Sequence, residues 1–455
     1  MSKITKYYSA NGVLELFNTT DGRSLEWEAF KNSTLGKLHS TIPFQSLSSL
    51  YPVKKHNSGR PAHFTTAGGI GLMVLKHYYK VSDAKLIELL NGNWMLQLFC
   101  GIRLQPFEVI RDTGIVSRWR VFLGKHLEVS DFQCICAGYW EEQLEHKHLG
   151  LTDATCYESH IEYPTDVKLL WKSCCWLWEK IKLISKSIKA PLPRVKFKEQ
   201  HQKYLSYQKR RRKTRKEERR RRRSLLYLLN KLRDEMSLIL GKWRGCQRWD
   251  KARLNVHFFN RLGVIKKVHM QQRNHFDRPK DKTPNRIVSL AKPYIRPIIR
   301  GKETKRVEFG MKTNEWQVDG INFLEHGDFE AFHEGIRLIQ GVWMHRRYFG
   351  RLSQAAADAI YATNKNRRYC TSNGISHNFK PKGNQGKHQE QKKSMQAVLG
   401  KLRATRMEGS FGNFKNHYLL DRIKARTFHS EWAWIFFGIF TANAVNISKR
   451  KKPPP

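Results

Sequence analysis

LGLTDATCY, running from Leu149 to Tyr157, is the stretch on which the fold of this chain turns. Leu149, Leu151, Asp153, Thr155 and Tyr157 fall on one face and Thr152, Ala154 and Cys156 on the other, which is the two-residue period of a β-strand. Asp153 therefore sits inside a strand. A carboxylate in the middle of such a run is costly to bury without a partner, and a divalent cation is a suitable one. An Asp facing solvent on an edge strand would need none.

Working outward, the chain downstream of this strand is helical and basic from Pro164 to about Arg300. It culminates in KRRRKTRKEERRRRR, Lys209 to Arg223, followed by the apolar-periodic SLLYLLNKLRDEMSLIL. Two short strand-like runs come next, KRVEFGMK and WQVDGINFL, separated by polar residues. A helical stretch, DFEAFHEGIRLIQGVWMHR, follows them. AAADAIYA then places Asp358 at the centre of another apolar run, and CTSNGISHNF reads as a further short strand. The polar loop KPKGNQGKHQEQKK leads into a helix, SMQAVLGKLRATRMEGSFGNFKNHYLL, which carries Glu408. Strand with Asp, two strands, helix, strand with Asp, strand, helix with Glu is the order of an α/β layer fold. No GxGxxG or GxxxxGK[ST] motif follows a strand, so neither a dinucleotide site nor a P-loop is indicated.

Upstream of Leu149 the pattern is helical, with FTTAGGIGLMVLKHYYK, then SDAKLIELLNGN with Ser82 as N-cap, then FEVIRDTGIVSRWRVFLGKHLE. Residues 1–140 predict an all-α domain, either a packing and dimerisation module or a helix-turn-helix. The start MSKITKYYSANG lacks a secretory pattern. AWIFFGIFTANAVNI near the end is too short for a bilayer and carries Asn443 and Asn446, so it reads as a buried helix. The eight cysteines include no CxxC pair and read as free thiols.

Composition points to the partner. The chain has 455 residues, 84 Lys+Arg against 39 Asp+Glu, a formal net charge of +45 and a pI of about 10.1. That excess exceeds what solubility requires and points to a polyanion, DNA or RNA, bound more weakly as salt rises, with an acidic membrane surface as the weaker alternative. The Lys209–Arg223 run cannot bury itself. It reads as a solvated helix face, a nuclear-import pattern or a contact with a nucleic-acid backbone.

Four ordered blocks then agree with one family. LTDATCYESHIEYPTD, IRPIIRGKETKRVEFGMK, ADAIYATNKNRRYC and RMEGSFGNFK resemble the first-Asp strand, the second-strand block, the second-Asp block and the Glu block of the DDE transposases of bacterial insertion sequences. SDAKLIELLNGNWMLQLFCGI resembles the helical domain that precedes the core in one large subgroup. The resemblance spans about His63 to Asn446. It implies an RNase H-like mixed sheet flanked by helices over residues 141–455, with Asp153, Asp358 and Glu408 as catalytic metal ligands. In the family's Glu helix, Glu408 and Lys415 match the signature, while Lys401 and Ala404 stand where Tyr and Arg are usual. Lys401, Glu408 and Lys415 form one helical stripe, with Arg403 and Arg406 close by.

Since 205 residues separate Asp153 from Asp358 and only 50 separate Asp358 from Glu408, the basic helical segment of about 167–299 reads as an insertion into the core, expected to lie beside the active site and hold DNA. The expected DNA contacts are Lys415, Lys401, Arg403, Arg406, Lys302, Arg210, Arg211, Arg212, Arg220, Arg221 and Arg222.

The resemblance further implies two Mg2+ (or Mn2+) ions, cleavage at the element's terminal inverted repeats and strand transfer into target DNA. It also implies a homodimer on double-stranded DNA and a cytoplasmic, nucleoid-associated setting without membrane contact. A decayed or domesticated transposase that only binds DNA, and a metal-dependent nuclease that cuts without joining, are the alternatives. Thr155, Tyr361 and Asn364 flank the acids and read as DNA-positioning or packing groups; His333 and Glu334 read as structural.

Overall fold

The stretch quoted above is the central strand of a mixed sheet in a computed structural model, which describes residues 5–6, 23–52, 63–105, 107–248, 251–299, 307–382 and 389–450. In chain order the sheet contains β1 (Leu149–Ser159), β2 (Val307–Val318), β3 (Ile321–Asp328), β4 (Gln354–Ala357) and β5 (Ser376–His377). Their spatial order is β3–β2–β1–β4–β5. The β1–β2 and β2–β3 pairs are antiparallel, while β1–β4 and β4–β5 are parallel. Arg422–Ile423 runs parallel beside the end of β1.

In chain order the helices that matter below are α1 (Thr66–Tyr79), α2 (Ile115–Lys125), α3 (Val129–Tyr139), α4 (Asp166–Ser187), α5 (Arg215–Gly245), α6 (Val256–Asp277), α7 (Leu338–Phe349), α8 (Gln389–His417) and α9 (Phe428–Arg450). Both faces of the sheet's centre are covered. Leu151 and Tyr157 are buried on one face of β1, Thr152, Ala154 and Cys156 on the other, because α8 packs against one side and α7 against the other. The sequence alternation therefore marks a strand but not a wet face.

Several boundaries differ from the sequence reading. KRVEFGMK and WQVDGINFL are not two separated strands: β2 runs unbroken through Thr313, Asn314 and Glu315, whose polar side chains are buried and hydrogen-bonded. The break lies instead at Asp319-Gly320, a two-residue hairpin loop between Val318 and Ile321 with φ of 46° and 79°. Positive φ at both positions suits the right-handed twist of the flanking strands.

Asp358 is not at the centre of a strand. β4 ends at Ala357, and Asp358 caps the 3-10 turn Ala359–Tyr361. Half of CTSNGISHNF is helix and turn, with Asn364–Ser372 helical and only Ser376–His377 in β5. Within DFEAFHEGIRLIQGVWMHR, Glu334–Ile336 is a 3-10 turn and α7 begins at Leu338.

The chain divides into two compact units, residues 1–160 with 310–455, and residues 161–309. In the first, the N-terminal helices and the sheet share one apolar core rather than forming separate ones. Phe132 of α3 meets Phe436, Phe437 and Phe440 of α9 edge-on. Gly124 of α2 lies so close to α9 that a Cβ there would come within 2.1 Å of the His429 carbonyl oxygen. Ser82 caps its helix as the sequence predicts, accepting from the Lys85 N–H.

In the second unit, α4 and α5 pack through Leu170, Cys174, Leu177, Leu225, Leu229 and Leu232, with Ile265 and Val268 of α6. Thr214 and Glu217 form a capping box that starts α5 within the basic run. Asp166, only partly exposed, gathers Arg286 at 2.6 Å, Gln272 at 2.9 Å and Arg222 at 3.4 Å. Burial pushes this carboxyl up, but these partners outweigh it and hold it below the usual carboxylate range.

All eight cysteines are free. No helix among the described residues is long and apolar enough to cross a membrane.

Candidate active site

Parallel pairing of β1 with β4 sets Thr152 opposite Ala357, so the next residue of each chain segment, Asp153 and Asp358, stands beside the other. Asp153 Oδ1 accepts from the Ala154 N–H at 2.8 Å, and Asp358 Oδ1 from the Ala359 N–H at 2.7 Å. Arg403 of α8 reaches both carboxylates, Nη1 to Asp153 Oδ2 at 2.9 Å and Nη2 to Asp358 Oδ1 at 3.0 Å. Burial pushes the Asp153 carboxyl up; Arg403 and the Ala154 N–H pull it down, and the charges of Asp358 and Glu334 push it up again. Asp358 is half exposed.

Glu408 lies elsewhere. It is exposed on α8, and its carboxylate makes no hydrogen bond or ion pair among the described residues. Five positions separate it from Arg403, about 140° around a helix of 3.6 residues per turn. Among the described residues no group of three His, Cys, Asp or Glu side chains is placed to hold a metal ion. Asp153 and Asp358 do fit one in chemistry, since they are hard oxygen donors already converging on a cation.

Lys415 Nζ donates to Thr155 Oγ1 on β1 at 3.2 Å and lies 5.8 Å over the Tyr157 ring. Lys401 is exposed. Arg406 is 3.7 Å from Asp319. Arg210 pairs with Glu217, Arg222 with Asp166, and Arg211, Arg212 and Arg220 are exposed while Arg221 is half-buried. Lys302 lies outside the described residues.

Tyr361 is fully buried and its hydroxyl donates to Asn314 Oδ1, a packing role. Asn364 Oδ1 accepts from Lys382 at 2.9 Å. Glu334, set aside in the sequence as structural, pairs with Lys312 at 2.6 Å and adds negative charge near Asp153.

A buried polar layer on the α8 side of the sheet escaped the sequence reading. Glu315, the cross-strand partner of Asp153, accepts from the Tyr157 hydroxyl at 2.6 Å, the Thr313 hydroxyl at 3.3 Å and Asn322 Nδ2 at 2.9 Å. Gln317 Nε2 donates to Asn322 Oδ1 and to Ser410 Oγ of α8, both at 2.8 Å. The layer thus ties the first strand to the helix that carries Glu408, two residues from that Glu. Its signal was present in the polar run KTNE inside an otherwise apolar strand.

Two acids brought together beside parallel strands of a mixed sheet, in a chain of charge +45, suit a protein that works on nucleic acid. Residues 355–441 match the Transposase DDE domain family, and residues 24–121 match the Transposase domain (DUF772) family. Both matches bear out the resemblance to the DDE transposases of insertion sequences. The first match includes Asp358, Arg403, Glu408 and Lys415; the second covers helices from the N-terminal region through most of α2. Over 145 residues the chain is 28% identical to the uncharacterized protein ORF8 in the nfe locus of Rhizobium meliloti, a match covering 30% of this chain and 68% of that protein. No solved structure matches the chain.

Proposed function

We propose that this transposase cuts the terminal repeats of its element and joins them to target DNA at a site built on Asp153, Asp358 and Glu408 in an RNase H-like core. The observation that carries this reading is the meeting of Asp153 and Asp358, 205 residues apart in sequence, on one guanidinium. The element order from β1 to α8 agrees with the resemblance. Divalent cations held there would activate water or a DNA 3′-hydroxyl as nucleophile and stabilise the leaving 3′-oxygen of the scissile phosphodiester.

The chain's own residues do the rest. Backbone N–H groups of Ala154 and Ala359 fix the rotamers of the two acids. Glu408, exposed on α8 and apart from the pair, would supply a third carboxylate only on turning toward it. Lys415, seven residues further along α8, offers an ammonium to a phosphate beside the cut. The exposed arginines of α5 draw the backbone of double-stranded DNA without reading its sequence. Two element ends call for two such sites, hence a homodimer on DNA.

The exposed position of Glu408, with Lys401 and Ala404 at signature positions, favours a second reading: a protein of this family that binds DNA without cutting it. One experiment separates them. Mg2+-dependent cleavage and joining of DNA bearing the element's ends is measured for the intact protein and for Asp153→Asn, Asp358→Asn and Glu408→Gln. Loss of both reactions with retained binding in each variant supports the transposase reading. Binding without cutting by the intact protein supports the other.

A further inference from the structure

Arg403 is a feature of the site that the family signature does not supply, since the Arg of that signature would stand at position 404. Its guanidinium spans Asp153 and Asp358 at 2.9 and 3.0 Å, each nitrogen of the fork taking a different carboxylate. The side chain is 16% exposed, and its Nε is buried without a hydrogen-bond partner. The nearby lysines are engaged elsewhere, Lys312 with Glu334 and Lys415 with Thr155. A planar cation bridging two carboxylates occupies the space between them, and that space is where a cation shared by both must sit.

We infer that Arg403 is a positioning residue that holds the Asp153–Asp358 pair converged before metal loading and must be displaced for a divalent cation to bind. The inference rests on the reading of that pair as the metal site. Two carboxylates this close repel each other and would turn apart if nothing lay between them, so the guanidinium keeps the pair in shape. The same contact makes Arg403 a competitor of the metal. Helix geometry sets this apart from Glu408: with Arg403 turned onto the acids, Glu408 is about 140° away around α8, so the two side chains do not face the pair from one setting of the helix. A purely structural ion pair would lower metal affinity when broken; a competitor raises it.

The test is equilibrium Mn2+ binding to the full-length protein without DNA, followed by calorimetry and by the Mn2+-induced rise in unfolding temperature. The proteins compared are the intact chain, Arg403→Ala, Arg403→Lys and Asp153→Asn. Arg403→Ala is expected to bind Mn2+ on the order of tenfold tighter than the intact chain, as expected when two partly exposed charge-assisted hydrogen bonds no longer compete. It should show a lower unfolding temperature without metal and a larger rise with it. Arg403→Lys should fall between, because a single ammonium cannot span both acids, and it carries the test if the alanine variant does not fold.

Equal or weaker Mn2+ binding in the Arg403 variants, with binding still lost in Asp153→Asn, overturns the inference and leaves the metal site standing. Mn2+ binding to the intact chain that survives Asp153→Asn overturns both.

Discussion

Glu315 should make the stability of this protein depend on pH in a direction opposite to that of most carboxylates. The residue is fully buried on β2. Burial pushes its carboxyl up from 4.5 to about 7, against hydrogen bonds from Tyr157, Asn322 and Thr313 and the charge of Lys415, all of which favour the anion. Between pH 4.5 and about 7 the folded protein therefore holds a proton on Glu315 that the unfolded chain has released. Stability from this group is fully present below the unfolded pKa and is lost as pH rises through the folded one. At about 1.4 kcal/mol per unit, the span is worth about 3 kcal/mol, the largest the group alone can contribute.

Glu315→Gln removes the titration while keeping the shape. Urea unfolding of both proteins at half-unit steps from pH 5 to 8 isolates the effect, because the other groups titrate alike in the two. The free-energy difference, intact minus variant, should fall by about 2–3 kcal/mol from pH 5 to 8 and be level above that. A difference that stays flat would show that the four partners hold Glu315 ionised throughout, and the argument from burial would fail. A Gln at 315 places its amide N–H either toward Asn322 Nδ2, donor against donor, or toward the Tyr157 and Thr313 hydroxyls, which must then accept in place of donating.

Three further outcomes follow from the packing and charge. Gly341→Ala on α7 should cost about 1–3 kcal/mol, from overpacking: its Cβ would come within 2.3 Å of the buried Trp316 ring, which cannot retreat because Gly150 already abuts it from β1. Unchanged thermal unfolding would contradict this. Replacing Arg219, Arg220 and Arg223 of α5 by Gln should reduce the slope of log affinity for DNA against log salt by about 0.9 for each phosphate that these side chains neutralise; a parallel line on that plot would remove α5 from the DNA interface. Lys415→Met should lower DNA cleavage by roughly a hundredfold, the cost of deleting one oriented charge at a reacting phosphate, with DNA binding little changed. Equal losses in binding and cleavage would make Lys415 a general DNA-binding group instead.

Much of the raw material of the candidate site is legible in the residues. Asp153 declared itself because an acid within a strand-period run asks for a partner, and β1 is where that period lies. Asp358 was identified, but its place one residue beyond β4 was not, since Ala-Ala-Ala-Asp-Ala carries no period that says where pairing stops. Arg403 was named only as a DNA contact. Periodicity gives the spacing of residues around α8 but not which stripe faces the sheet, and the stripe of Lys401, Glu408 and Lys415 proved only partly inward, through Lys415. The polar stretch of β2 misled for a clear reason: Thr313, Asn314 and Glu315 resemble a loop until their partners on β1 and β3 are known, and those partners are remote in sequence.

That polar layer gives the N-terminal helices a mechanical meaning. Asn443 of α9 holds the backbone of Asn322 from both sides, accepting from its N–H at 3.0 Å and donating to its carbonyl at 2.7 Å. Asn322 in turn bonds Glu315 and Gln317, and Gln317 bonds Ser410 on α8. At the far end of α8, His77 of α1 is hydrogen-bonded at 2.8 Å to the Tyr418 carbonyl, and the Trp434 indole of α9 donates to that of Leu419 at 2.9 Å. Helix α8 is thus fixed near Glu408 through the sheet and beyond its C-terminus through α1 and α9. Because α9 is also the helix against which α2 and α3 pack, loosening the N-terminal helices should reach the acids through α8. A cavity at Phe132 or Trp434 would then impair cleavage before it unfolds the sheet, since the helix that carries Glu408 and Lys415 depends on those contacts for its register.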